Sequence, residues 1–179
     1  MNFRSATDEE FYLTEILRDD KDAYLKHMLN REISDNTFNI PFPYLEDDAV
    51  TWLKMKEQET TRNARPVTFA IREKSGFLIG SVGFDGMVVG QDESAELGYW
   101  LAKPYWGQGI MTSAVQKVCE LGFRELGLRF ISAHVFVHNL GSQKVLKKAK
   151  FQKEAYLEQQ FLKNGEKIDA LRYGLFRKL

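Results

Sequence analysis

The stretch from Glu96 to Phe123, ELGYWLAKPYWGQGIMTSAVQKVCELGF, constrains this chain more than any other. An apolar, aromatic run with strand character breaks at Pro104, passes through Gly107-Gln108-Gly109 and enters a helical pattern with no acidic residue in its first turn. Strand, glycine turn and helix in that order aim backbone N–H groups at an anion. The turn is not a P-loop, because the four-residue spacer and the Gly-Lys-Ser/Thr ending are absent. Nor is it a dinucleotide fingerprint, because Gly107-x-Gly109 lacks the third glycine. Local physics alone leaves both an anion cradle and a plain strand-to-helix turn open.

The surrounding periodicities predict the rest of the fold. After a short extended start at residues 2–4, the spacing of Phe11, Leu13, Ile16 and Leu17 predicts an amphipathic helix capped by Thr7 or Asp8. A second helix is expected over residues 22–29. The run DNTFNIPFPYL, with two prolines among aromatics, is an ordered loop. The following segment, LEDDAVTWLKMKEQETTR, carries acids early and bases late, as a helix dipole favours, with Val50, Leu53, Trp52 and Met55 expected inward.

From Pro66 the period becomes that of strands: PVTFAIRE and FLIGSVGFDG form a hairpin about Lys74-Ser75-Gly76, and a further strand spans residues 94–101. The helix beyond the glycines has an apolar stripe through Ile110, Met111, Ala114, Val115, Val118, Cys119, Phe123 and Leu126, and is expected to lie on the sheet. LRFISAHVFVHN is a strand and LGSQKVLKKAK a short helix. The last segment forms two strands joined at Asn164-Gly165, a strong hairpin signal. The expected fold is a single α/β domain over residues 1–179: a mixed, mostly antiparallel sheet of about seven strands with helices on both faces.

Composition narrows the function classes. Lys plus Arg and Asp plus Glu number 25 each, so no net field favours nucleic acid or anionic lipid, and neither is an expected partner. The single cysteine, Cys119, cannot form an internal disulfide, the opening residues lack signal-peptide character, and the apolar runs are too short for a membrane span. A reducing, cytoplasmic setting is expected. His27, His134 and His138 are not at ligand spacing with carboxylates or cysteine, so no metal is expected.

AELGYWLAKPYWGQGIMTSA together with HNLGSQKVLKKAKFQKEA resembles the acetyl-CoA-binding core of the GNAT N-acetyltransferases. NIPFPYLEDDAVTWL and NGEKIDALRYGL narrow the resemblance to the RimJ/RimL-like group, named for enzymes that acetylate N-termini of ribosomal proteins. It covers nearly the whole chain. It implies acetyl-CoA as cosubstrate, a splayed central strand pair that takes the pantetheine arm, and a monomer or homodimer. The pyrophosphate would lie on the turn Trp106, Gly107, Gln108 and Gly109 and the helix start at Ile110 and Met111. Pro104 replaces the Gln or Arg common in the family, which removes an N–H and a polar side chain. The resemblance also implies that Trp100, Leu101, Ala102, Asn139 and Ser142 contact the cofactor. Asn139 doubles as a helix N-cap. Lys144, Lys147 and Lys148 suit either the cofactor's phosphates or a solvated face.

Amide formation from a thioester needs a neutral amine and a proton source for the leaving thiolate. Alternation puts Glu96 on one sheet face with Gly98 and Trp100, where its carboxylate is the candidate base and a candidate acceptor contact, or a structural ion-pair partner. Ser142 matches the family serine proposed to protonate the thiolate, or caps its helix; Tyr99 and Tyr105 are weaker alternatives. Cys119, within the apolar stripe, is expected to be inert, which favours direct attack in a ternary complex.

At pH 7 an α-amine is roughly a tenth neutral and a lysine about four parts in ten thousand, a difference of about 3 to 4 kcal/mol. A protein or peptide N-terminus, ribosomal or other, is therefore the expected acceptor. The resemblance makes Phe38, Phe42 and Tyr44 its wall, and packing into the core is the other account of the same residues. A small-molecule amine acceptor, a non-catalytic acyl-CoA sensor and a plain interaction domain are the alternatives.

Overall fold

In a computed structural model that describes residues 1–4 and 9–177, the chain runs β1 (Asn2–Arg4), β2 (Glu10–Glu15), a 3-10 turn (Arg18–Asp20), α1 (Lys21–His27), α2 (Arg31–Asp35) and α3 (Glu46–Asn63). It continues through β3 (Thr68–Arg72), β4 (Leu78–Asp85), β5 (Ser94–Leu101), α4 (Ile110–Glu125), β6 (Phe130–Phe136), α5 (Leu140–Lys148), β7 (Gln152–Lys163) and β8 (Glu166–Phe176). The sheet has eight strands in the order β1-β2-β3-β4-β5-β6-β8-β7, one more than expected, because the segment expected as the first helix is a strand, β2. Every pairing is antiparallel except β5 with β6.

The expected first helix is instead the strand β2. Phe11 and Leu13 are buried, and Tyr12 and Thr14 only partly so, which is a period of two; Ile16 is buried but Leu17 is half exposed. The segment pairs on both sides, Phe11 with Phe3 and Leu13 with Ile71, and these ladders satisfy its backbone groups where a short isolated helix gains little. Thr7 and Asp8 lie outside the described residues.

In α3 the inward stripe is Ala49, Leu53, Lys56, Glu59 and Asn63, so Val50 and Met55 face solvent and Trp52 is half buried. Polar groups hold this face. Lys56 Nζ donates to Glu59 Oε2 at 3.0 Å and to Thr68 Oγ1 at 3.1 Å, and the Asn63 amide bonds Met87 O and Val89 N–H.

Two cores flank the sheet. On one face α4 and α5 pack through Ile110, Val115, Val118 and Leu146 against Ile79, Leu97, Leu101 and Val135. On the other, Tyr24 of α1 and Leu53 of α3 pack against Ala70, Leu78 and Trp100. At the end of the chain, Asn164 and Gly165 take φ of 52° and 83°, as the β7–β8 hairpin turn requires.

The middle of the sheet is the feature that positions the site. β5 pairs with β6 only at Ser94–Phe130, Ala95–Ile131 and Glu96–Ser132, whereas it pairs with β4 as far as Leu101, and β6 pairs with β8 as far as Phe136. Beyond Glu96 and Ser132 the two strands separate and leave backbone groups of β5 without a strand partner.

A buried ion pair fixes the start of α1 to the end of the interior strand β3. The Arg72 guanidinium grips Asp20 through both nitrogens, at 2.7 and 2.8 Å, and its Nε donates to Thr14 Oγ1 at 2.7 Å; both charged side chains are about nine-tenths buried. Asp20→Ala leaves the guanidinium buried without its counter-charge. We expect a loss of about 3 to 5 kcal/mol of stability, read as a lower urea midpoint.

Candidate active site

The glycine turn is the mouth of the opening. Gly107 and Gly109 sit at φ of 78° and 79°, a conformation side chains disfavour, and a Cβ built on Gly107 would meet no heavy atom within 4 Å. Gly109 is the N-cap of α4, no side chain caps that end and no acid lies in the first turn, so its leading N–H groups are free for an anion. Ile110 and Met111 send their side chains into the core, which leaves their backbone to face outward. Gln108 turns its side chain back to Pro104 O at 3.0 Å, and the Trp106 indole donates to Leu101 O at 2.6 Å. Lys144, Lys147 and Lys148 are exposed along α5.

The register decides which groups of β5 face the opening. Ala102 N–H donates to Ile79 O beside β4, so alternation turns the backbone of Tyr99 and Leu101 the other way, toward the gap. The Leu101 carbonyl is taken by Trp106 and its N–H is turned to the gap. The Trp100 side chain is buried against Tyr24, with ring centroids 5.4 Å apart, and Ala102 is buried beside it in the same core. An extended chain with amide groups, ending in phosphates, fits this combination of open strand edge and helix N-terminus.

Titratable groups lie on the two sides of the gap. On the α5 side, the Tyr99 hydroxyl and Ser142 Oγ are 2.6 Å apart; burial pushes the Tyr99 phenol well above its ordinary value, so it stays protonated. Asn139 caps α5, accepting Ser142 N–H at 2.9 Å, and donates to Asn36 O at 3.2 Å. Tyr105 lies apart from these, its hydroxyl bonded to Glu73.

On the α1 and α3 side, Glu96 Oε1 lies 2.7 Å from His134 Nδ1, across the last paired rung of β5 and β6. Asp85, the register partner of Glu96 on β4, has its carboxyl raised by burial, with Lys56 3.8 Å away opposing the shift. These carboxylates, Ser132 and Arg172 rim an open cavity of about 330 Å³.

The three aromatics of the loop do not meet at one point. Phe38 packs at a tilt against Phe136 and Phe161, with centroids 4.2 and 4.5 Å away. Phe42 is exposed under the Arg31 guanidinium, and the half-buried Tyr44 packs on the Trp100 core, where burial pushes its phenol up to about 12.

The sequence singled out Glu96 but not its partner. The signal was the alternation Phe130, Ser132, His134, Phe136, which puts His134 on the same face.

An open sheet splayed beside an uncapped helix start is an architecture with room for a phosphorylated, strand-like ligand. The family profile described as the acetyltransferase (GNAT) domain matches residues 10–152. YoaA of Bacillus subtilis (strain 168), named an uncharacterized N-acetyltransferase, is 31% identical over 166 residues, 84% of this chain and 93% of its own. Mycobacterium smegmatis RimJ, solved in complex with CoA-disulfide, superimposes with a TM-score of 0.85 at 21% identity, over 98% of this chain and 86% of its own. Ribosomal-protein-S5-alanine acetyltransferase from Vibrio fischeri gives 0.80 at 20% identity, over 98% and 96%. The chain belongs to the GNAT family of N-acetyltransferases, and its fold is that of the RimJ/RimL-like group.

Cys119 is buried in α4 and burial pushes its thiol up to about 12. We expect it to resist maleimide at neutral pH in the folded protein and to react once urea unfolds it, as intact mass will show.

Proposed function

We propose that the chain transfers the acetyl group of acetyl-CoA to a primary amine by direct attack in a ternary complex, with a protein or peptide N-terminal α-amine as acceptor. The observation that carries this reading is the parting of β5 and β6 beside the uncapped start of α4. The complex of M. smegmatis RimJ with CoA-disulfide and the acceptor in the name of the V. fischeri enzyme support it.

In this reading the backbone from Trp106 to Met111 holds the pyrophosphate, and Tyr99 and Leu101 pair with the pantetheine amides. Asn139 orients α5 so that Ser142 points at the sulfur. Bound acetyl-CoA supplies an activated acyl group on a good leaving thiolate. Ser142, hydrogen-bonded to a phenol that burial keeps protonated, gives that thiolate its proton. On the other face the Glu96 carboxylate serves the deprotonation of the amine, and Phe38 lines the approach. Phe42 and Tyr44 reach more distant parts of a peptide. A ribosomal acceptor would set the reaction in the cytoplasm.

The cavity beside Glu96, rimmed by Asp85 and Asp92, favours one second reading, a small cationic amine as acceptor. Thiol release with N-terminal peptides, lysine, polyamines and aminoglycosides separates the two. Release on peptides with the product acetylated at the α-amine by mass spectrometry is the expected result, and side-chain acetylation alone would overturn the choice of acceptor. Gly107→Glu puts bulk and negative charge where the diphosphate would lie. We expect acetyl-CoA affinity to fall by at least about tenfold in calorimetry, about 1.4 kcal/mol, and unchanged affinity would remove the turn from the cofactor site.

A further inference from the structure

We infer that the group accepting the amine proton is Nε2 of His134, with Glu96 a positioning residue that orients the imidazole. This deepens the acetyl-transfer reading and rests on it. An ionised carboxylate has only acceptors, so the 2.7 Å contact assigns the hydrogen to Nδ1 and leaves Nε2 with its lone pair. Among the described residues Nε2 has no hydrogen-bond partner. The ring lies tilted against Phe161, 5.5 Å between centroids, and Phe161 packs in turn on Phe38, so the imidazole adjoins the aromatic wall.

Position favours the imidazole over the carboxylate. The β5–β6 ladder ends at Glu96 and Ser132; His134 lies two residues further along β6, beyond the point where the strands part, and on the same face. Ser142 and Tyr99 lie across the gap, so a thioester lying between the strands has a proton donor on one face and Nε2 on the other. The His134 side chain is 19% exposed and Glu96 is 48% exposed, so the imidazole is the more sheltered of the two. A neutral imidazole also suits an amine proton near neutral pH better than a water-exposed carboxylate does.

The charged groups facing the pair are Asp85, the register partner of Glu96, and Arg172, the register partner of His134. Glu154 lies 3.3 Å from Arg172 and partly neutralises it. In the step itself the amine lone pair forms the new C–N bond as the C–S bond breaks. Nε2 takes the amine proton and later yields it to solvent, while the thiolate takes a proton from Ser142, whose oxygen takes the Tyr99 hydroxyl proton in turn, and the phenol regains one from solvent.

The test is kcat/KM against pH, by thiol release with an N-terminal peptide, for the wild type, His134→Gln and Glu96→Gln. Activity requires the neutral imidazole, so the wild type rises with pH along an acidic limb. His134→Gln is expected to lose kcat by about 10² to 10³-fold with that limb abolished, at unchanged acetyl-CoA affinity, which shows that the protein is folded. Glu96→Gln retains an acceptor for Nδ1–H and keeps the limb, with a smaller loss of kcat than His134→Gln. Free imidazole should partly restore His134→Ala, which a merely structural histidine would not allow.

An active wild type with His134→Gln retaining both kcat and the limb would overturn the assignment alone. So would loss of the limb in Glu96→Gln only, which makes the carboxylate the base. A wild type that releases no thiol with any primary amine would overturn the acetyl-transfer reading itself, and this assignment with it.

Discussion

The short parallel ladder between β5 and β6 is the constraint on which the rest of the molecule depends. Three rungs join a five-stranded block, β1 to β5, to a three-stranded block of β6, β8 and β7, and each block is otherwise fully paired. Because a sheet edge must be satisfied somehow, an interrupted ladder in the centre is an acceptor for a strand-like ligand. α4 is the crossover between the two halves, and its Ile110, Val115 and Val118 are buried in one core with Leu97 of β5 and Ile131 and Val135 of β6. The same helix starts at Gly109, so the element that binds the halves together also presents its positive end to the gap.

Much of this was legible in the sequence where one physical signal dominated. The 94–101 strand, the paired glycines, the apolar stripe of α4 and the Asn164-Gly165 turn each rest on a local rule that tertiary context did not oppose. Where two periodicities fit the same residues, the sequence misled. Phe11, Leu13 and Ile16 are compatible with either a helix face or a strand face, and pairing to β1 and β3, which no local pattern reveals, decides for the strand. The inward face of α3 was hidden because Lys56, Glu59 and Asn63 occupy it; hydrophobic spacing cannot find a stripe whose burial is made good by ion pairs and amide bonds.

The candidate site shows the same division. Glu96 and Ser142 were visible as residue types at marked positions, and so were the glycines. Their partners were not. The Glu96–His134 contact joins residues 38 apart across a parallel rung, and Tyr99–Ser142 joins residues 43 apart through the first turn of α5. Neither pairing follows from spacing, since both depend on where the crossover returns the chain. The family resemblance marks Trp100 for the cofactor through its backbone; its ring belongs to the core beneath α1, because alternation sends it to the face opposite Tyr99 and Leu101.

The loop that carries Phe38 is anchored by residues far from it in sequence. Lys163 Nζ donates to Ile40 O at 2.6 Å, Asn139 donates to Asn36 O, His138 Nε2 lies 3.2 Å from Asp35 O, and Phe161 packs on Phe38. The shape of this wall is therefore written in three separate places along the chain: the loop, the approach to α5 and the closing hairpin. Reshaping the loop then demands concerted substitution at all three. A loop grafted from a relative without its hairpin would arrive with its carbonyls unmatched and its aromatic side chain unsupported.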